Sequence, residues 1–227
     1  PGCNLSRRSV IAADMNDARE LVRKASPGGR PQPLAYRDKR LWVGAWDTDR
    51  IYAIDPATWK VVDEVGAPGR PYGMAVLGDE IRVVVSIGAD DDRYFYRFIP
   101  GKGFDDASKT PCPDFTGSHV AALNGTLYLT QMGLRRILAF DDQGAIVREI
   151  PLPTRCGGIG VRDGVFYMIS ADEEFDNLTL ATLDVALPAP QAVAVATLNP
   201  EARALTFDGS AWWTSYREQN EIVSFEI

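Results

Sequence analysis

Arginine recurs at corresponding places in the repeated part of this chain. Arg30 and Arg70 each stand between a glycine and a proline, and Arg155 and Arg203 occupy related places in later repeats. A guanidinium binds carboxylate or phosphate through charge-assisted, often bidentate hydrogen bonds. These arginines predict an anion site. The alternative is that each arginine hydrogen-bonds or stacks on a neighbouring repeat.

The single histidine of the sequence, His119, follows Thr116-Gly117-Ser118. An imidazole titrates near neutral pH and can act as a general acid or base. The alternative is a structural histidine at the start of a strand. Ser118 is not indicated as a nucleophile, because no G-x-S-x-G motif and no acidic triad partner accompany it.

Loops between repeated strands carry a second set of candidate side chains. Trp46 and Tyr216 take equivalent positions, where they could stack the ring of a ligand or instead cap the hydrophobic core. Gln131, Glu173 and Glu218 fall in the same class of loop.

Two acidic loops, at 90–92 and 172–174, could supply oxygen ligands to a hard cation, but solvated loop charge is the much more common explanation of such clusters. Their spacing matches no EF-hand loop. The three cysteines form no CxxC or Cys/His pattern. The sequence therefore indicates no metal site and identifies no cofactor, while a divalent cation stays open.

The repeat that contains these candidates is clearest at 28–65. Turn-forming residues divide this stretch into four β-type runs, at 33–37, 40–46, 50–55 and 59–65. The runs contain more apolar residues than a sheet with one wet face would bury. Such a sheet must be covered on both sides.

The same pattern returns with a long period. Equivalent positions at Trp42, Arg82, Tyr128, Tyr167 and Trp212 are separated by 40, 46, 39 and 45 residues. A period of about 40–45 residues with four strands per unit is the signature of a β-propeller blade. We therefore predict an all-β, single-domain propeller over 1–227, with five blades at about 28–65, 66–110, 113–150, 151–197 and 198–227.

The last blade offers only three strand-like runs, so its fourth strand must come from the N-terminal segment. After a loose 1–8, that segment reads as two strands, at 10–14 and 19–25, or as a helix over 14–24. We favour strands, because pairing of the chain ends closes the ring and removes sheet edges. Two strands are offered where one is needed, which makes six blades the alternative.

The repeats resemble the YVTN and NHL-like propeller repeats and the propellers of the virginiamycin B lyase and glutamine cyclotransferase type. The matching motifs are the two Gly-Arg-Pro tripeptides, the strand pair at 41–58 and the segment 127–144. The lyase resemblance implies a catalytic histidine with a nearby acid, here His119 with Glu173 or Glu218. The cyclotransferase resemblance implies an acid in an aromatic pocket, for which Glu218 is the candidate.

Composition narrows the function classes. The chain has 227 residues, with 24 Lys and Arg against 31 Asp and Glu, and a formal net charge of −7. Nucleic-acid binding needs basic surface, so we exclude that class. No apolar run approaches the roughly 20 residues that span a bilayer. We expect a monomer whose partner is a small molecule.

The cysteines bear on compartment. Cys112 and Cys156 both fall where a blade begins, so a disulfide between adjacent inner strands and two buried thiols are both open. Cys3 follows Pro1-Gly2 and could be the lipidated residue of a processed lipoprotein. This favours an exported, extracytoplasmic protein.

Together, these observations predict a small-molecule-binding propeller with its site at the mouth of the central channel. The expected ligand is anionic, aromatic or both. The alternative is an enzyme of lyase or cyclotransferase type that uses His119 and a loop carboxylate at the same site.

Overall fold

The chain forms five four-stranded antiparallel sheets, each with its strands paired in a continuous series, in a computed structural model that describes residues 16–227. The segment 1–8, the strand predicted at 10–14 and Cys3 lie outside the described residues. No helix in 16–227 has the length and apolarity that crossing a membrane requires.

Twenty strands account for almost all of the regular structure. In chain order they are β1 (Arg19–Ala25), β2 (Pro31–Arg37), β3 (Arg40–Ala45), β4 (Arg50–Asp55), β5 (Lys60–Gly66), β6 (Arg70–Leu77), β7 (Glu80–Ile87), β8 (Asp92–Ile99), β9 (Gly103–Pro111), β10 (Val120–Leu123), β11 (Thr126–Gln131), β12 (Arg136–Phe140), β13 (Ile146–Pro151), β14 (Arg155–Arg162), β15 (Val165–Ala171), β16 (Leu178–Leu183), β17 (Ala192–Leu198), β18 (Thr206–Phe207), β19 (Trp212–Tyr216) and β20 (Glu221–Glu226).

These strands make the five blades that the repeat period predicts. Blades one to four are β2–β5, β6–β9, β10–β13 and β14–β17, and the first strand of each is innermost. Blade five is β18–β20 completed by β1. The prediction of a five-bladed, all-β propeller is confirmed.

The N-terminal strand closes the ring. β1 pairs antiparallel with β20, from Arg19 opposite Glu226 to Ala25 opposite Glu221. Arg23 adds an ion pair with Glu221 at 2.9 Å. The helix alternative is therefore wrong over 19–24, because these residues complete an otherwise three-stranded blade.

Two strand predictions need correction. The stretch predicted as an outer connection, at 101–109, contains β9, because Phe104 packs on Phe98 of β8 with ring centroids 5.1 Å apart. The inner strand predicted at 202–207 is regular only in β18, since pairing with β19 breaks between an isolated bridge at Ala202 and the ladder at Thr206.

The core lies between neighbouring blades. Trp42 meets Phe98 of blade two at a centroid distance of 5.3 Å, and Tyr167 meets Trp212 of blade five at 4.8 Å. The recurring aromatic positions therefore pack blade against blade, as the sequence period indicates.

Both described cysteines are free and buried, in different hydrophobic clusters. No disulfide joins Cys112 and Cys156, so the alternative of two buried thiols is correct. Burial raises the pKa of each thiol well above its ordinary range.

The innermost strands approach each other at glycines. A Cβ at Gly73 would lie 2.8 Å from the carbonyl oxygen of Ser118 and 2.9 Å from Cα of His119. A Cβ at Gly158 would lie 2.6 Å from the carbonyl carbon of Ala204. These obstacles are backbone atoms, so the two contacts require glycine.

We expect Gly73→Ala to destabilise the protein by about 1–3 kcal/mol, because the methyl group would push two inner strands apart. Gly66→Ala is the matched control, since nothing lies within 4 Å of its Cβ position. That variant should be neutral or slightly stabilised. Urea unfolding of the two variants makes the comparison, and equal unfolding free energies would contradict a tight ring.

Candidate functional site

A cavity of about 560 Å³ opens at the face where the chain enters the innermost strands. Residues from all five blades line it. They are Gln32, Trp46, Tyr72, Arg93, Thr116, Ser118, His119, Met132, Gly133, Gly157, Ile169, Ala171, Phe175, Leu178, Ala202, Arg203 and Arg217.

One position per blade shapes this cavity. The pairing of the innermost strand with its neighbour breaks near its start in blades one, two, four and five, and β10 of blade three begins only after this point. A break of this kind redirects side chains and often lies beside a site. We name these residues the ring position, and they are Gln32, Tyr72, His119, Gly157 and Arg203.

The ring position explains why one of the four predicted arginines lines the cavity and the other three do not. Arg203 occupies it and lines the cavity, whereas Arg30, Arg70 and Arg155 precede it by two residues and do not line the cavity. In the sequence repeat, Arg203 stands about three positions further along than the other arginines, and this offset is the sequence feature that distinguishes it.

Trp46 lines the cavity as predicted, and three guanidinium groups surround its ring. The Cζ atoms of Arg30 and Arg70 each lie 5.4 Å from the ring, and that of Arg217 lies 4.5 Å from it. These are cation–π distances. The indole Nε1 donates to the carbonyl of Pro71 at 2.6 Å, which fixes the ring.

Tyr72 and Arg93 extend this stack in blade two, and neither was among the residues predicted for the site. The ring of Tyr72 lies 4.4 Å from that of Trp46, and Cζ of Arg93 lies 3.4 Å from the Tyr72 centroid. Arg93 also donates to Asp91. The Gly-Arg-Pro motif at 69–71 favours Arg70 as the site residue, so the sequence does not indicate Tyr72, which follows the proline.

In the last blade, Arg217 lines the cavity at the position that the sequence predicts for Tyr216. Tyr216 is buried in the core and lies against Arg23, whose Cζ is 5.2 Å from the ring. Arg217, the first residue after β19, lines the cavity. Its Nη1 donates to Oε1 of Gln32 at 3.4 Å.

His119 is buried at the base of the cavity. Its Nε2 lies 3.1 Å from Nε2 of Gln32. Since Oε1 of Gln32 accepts from Arg217, its amide group donates to His119. Burial first, then Arg217 and Arg203, lower the pKa of His119 from 6.5 to about 3. The imidazole is neutral at pH 7 and presents Nε2 as an acceptor.

Gln131 supports a loop and does not line the cavity. The side chain is fully buried, and its Nε2 donates to the carbonyls of Pro113 and Thr116 at 2.6 and 2.9 Å. Its Oε1 accepts from Arg136 at 2.6 Å. Gln131 therefore positions the loop that leads to His119.

The two candidate acids are engaged in ion pairs outside the cavity lining. Glu173 lies 2.9 Å from Arg155 and also pairs with Arg135. Glu218 pairs with Arg217 at 2.9 Å and with Arg30 at 3.2 Å. The hydrogen bond from Arg217 is the main cause that lowers the pKa of Glu218, so this carboxylate is ionised at neutral pH.

The charge of the cavity is opposite to that of the protein. Its charged lining residues are Arg93, Arg203 and Arg217, and no carboxylate occurs among the described lining residues. Arg203 makes no ion pair within 16–227, and burial and the neighbouring Arg217 lower its pKa. An anion that entered would relieve this repulsion.

Carboxylates of the two acidic loops accept hydrogen bonds from nearby groups. Asp91 accepts from Tyr72 at 3.3 Å and from Ser86, and Asp172 accepts from the backbone N–H of Asp176 at 3.0 Å. In the part of the chain that the structure describes, no group of three or more His, Cys, Asp or Glu side chains could hold a metal ion.

The sequence matches no protein family and no curated protein. The fold is similar to that of Myxococcus xanthus glutaminyl cyclase, with a TM-score of 0.69 at 12% identity over 92% of this chain and 95% of that one. It is also similar to the PQQ-bound aldose sugar dehydrogenase of Streptomyces coelicolor, with a TM-score of 0.60 at 13% identity over 92% and 98%. Staphylococcus aureus virginiamycin B lyase gives 0.54 at 14% identity over 87% and 66%.

The shared property is the propeller fold. The resemblance to cyclase and lyase propellers that the repeats indicate is confirmed at that level. All three solved structures are enzymes by name, and at this identity the likeness says nothing about the site of this chain.

The buried histidine makes stability depend on pH. The folded-state pKa of His119 is depressed, so between pH 6.5 and about 3 the unfolded chain binds a proton that the folded chain refuses. The stabilisation is complete above pH 6.5 and is lost as pH falls, by about 1.4 kcal/mol per pH unit.

We expect His119→Gln to flatten the unfolding free energy between pH 6.5 and 4, because glutamine has no proton to gain. Urea unfolding at several pH values measures the slope, which cancels any constant cost of the substitution. An unchanged slope in the variant would contradict a neutral, buried His119.

Proposed function

We propose that this propeller binds a small anionic molecule in the cavity at the mouth of its central channel. One observation carries the proposal: three arginines and no carboxylate are the charged residues of the described lining, in a protein of net charge −7. A cavity of this volume falls within the range of small-molecule sites.

The arginines are held in place but keep donors free. Arg217 stacks on Trp46 and Arg93 stacks on Tyr72, which fixes the guanidinium planes without using all of their N–H groups. Arg217 donates from Nε to Glu218 and from Nη1 to Gln32, and Arg93 donates from Nη2 to Asp91, so Nη2 of Arg217 and Nη1 of Arg93 have no partner within the described residues. Preorganised donors of this kind favour carboxylate or phosphate groups.

Acid–base catalysis by a lyase or cyclotransferase mechanism gains less support from the same geometry. With its lowered pKa, His119 is a weak base at neutral pH. Glu173 and Glu218 are each paired with two arginines. The catalytic roles of these three residues stay predictions, and anion binding is the function that we propose.

We expect Arg203→Gln and Arg217→Gln each to weaken anion binding by about tenfold to a hundredfold, because each removes a charged hydrogen-bond donor from the cavity. Isothermal titration with inorganic phosphate and with acetate, succinate and benzoate measures the affinity. At least one of these probes should bind the wild-type protein.

Arg162→Gln is the matched control, since it removes the same charge at the far end of β14, where Arg162 pairs with Asp163. Binding should be unchanged in this variant. The proposal fails if no probe binds the wild type, or if Arg203→Gln and Arg217→Gln bind as well as Arg162→Gln does.

A further inference from the structure

The cavity is divided by chemistry as well as by blade. Its charged residues come from blade two, with Arg93, and from blade five, with Arg203 and Arg217. Blade one, which stands between them, adds the polar Gln32 and the indole of Trp46. One half of the cavity is therefore cationic and rich in hydrogen-bond donors.

The opposite wall is apolar. Every lining residue of blade four lacks a polar side chain within the described part of the chain, and Met132 continues this wall into blade three. Polar Thr116, Ser118 and His119 mark the boundary at blade three. The blade-four residues are Gly157, Ile169, Ala171, Phe175 and Leu178.

Phe175 is the aromatic residue of this wall. Its backbone φ is 62°, in the left-handed region that a bulky residue adopts only at a cost. Cζ of Arg155 lies 5.4 Å from the Phe175 ring. The ring lines the cavity, so it adds aromatic area to the apolar wall.

We infer that the ligand is amphiphilic, with a carboxylate at Arg203 and Arg217 and an apolar aliphatic or aromatic body against blade four and Met132. This inference rests on the proposed anion binding and adds the class of compound and its orientation. A small hydrophilic anion would leave the apolar wall wet, whereas an apolar body covers it and gains free energy in proportion to the area removed from water.

A series of carboxylates of increasing length tests the inference. Titration of the wild-type protein with acetate, butyrate, hexanoate and octanoate should give an affinity that rises by about fourfold per methylene. Hexanamide, which has the apolar body without the charge, should bind at least about tenfold more weakly than hexanoate.

Phe175→Asn is the informative variant, because asparagine tolerates a positive φ and removes the aromatic wall. It should weaken octanoate binding by about tenfold and leave acetate binding unchanged. Phe115→Asn is the matched control: Phe115 also has a positive φ, of 52°, but it does not line the cavity. Octanoate should bind this control as it binds the wild type.

The outcomes separate the two proposals. Carboxylates that bind through Arg203 and Arg217 with no dependence on length, or an equal loss of octanoate binding in both asparagine variants, would overturn the amphiphilic ligand and leave anion binding intact. Failure of every carboxylate to bind would overturn the amphiphilic ligand, and failure of inorganic phosphate as well would overturn both proposals. Equal binding of hexanamide and hexanoate would overturn the anionic character of the site.

Discussion

The convergence of five innermost strands on one axis is the constraint on which the rest of this structure depends. Gly73 and Gly158 let backbones approach where a methyl group would collide with the neighbouring strand. Strand pairing is interrupted at the same level in four of the blades, and one residue from each of the five blades lines the cavity there. Closure by β1 holds the arrangement by completing the fifth sheet. The convergence of the innermost strands therefore shapes both the closed ring and the cavity at its mouth.

The positive charge of the cavity comes from Arg203 at the ring position and from Arg93 and Arg217 beside it. Buried positive charge is costly unless it is compensated. Arg217 pairs with Glu218 and stacks on Trp46, and Arg93 pairs with Asp91 and stacks on Tyr72, whereas Arg203 has only carbonyl acceptors within the described residues. Burial, with a smaller contribution from Arg217 and Arg203, lowers the pKa of His119 and keeps it neutral. A bound anion is the missing counter-charge that this arrangement favours.

The sequence predicts the fold well because blade strands alternate with strong turn signals and repeat at a near-constant period. The bounds predicted for blade one differ from the observed ones by at most two residues. The sequence predicts the site only in part. Arg203, Trp46 and His119 line the cavity, but the repeat alignment favours Arg30 and Arg70, which lie two residues too early. A break in strand pairing is a tertiary feature without a local signature, so Gln32 and Tyr72 were not found.

The most direct test of the central claim is a crystal structure of the protein soaked with 4-bromobenzoate, with the bromine located by its anomalous scattering. We expect the carboxylate to lie in hydrogen-bond contact with Arg203 and Arg217, and the bromine peak to lie beside Phe175 or Met132. A cavity without the compound, or a compound bound with its bromine toward the arginines, would contradict the central claim.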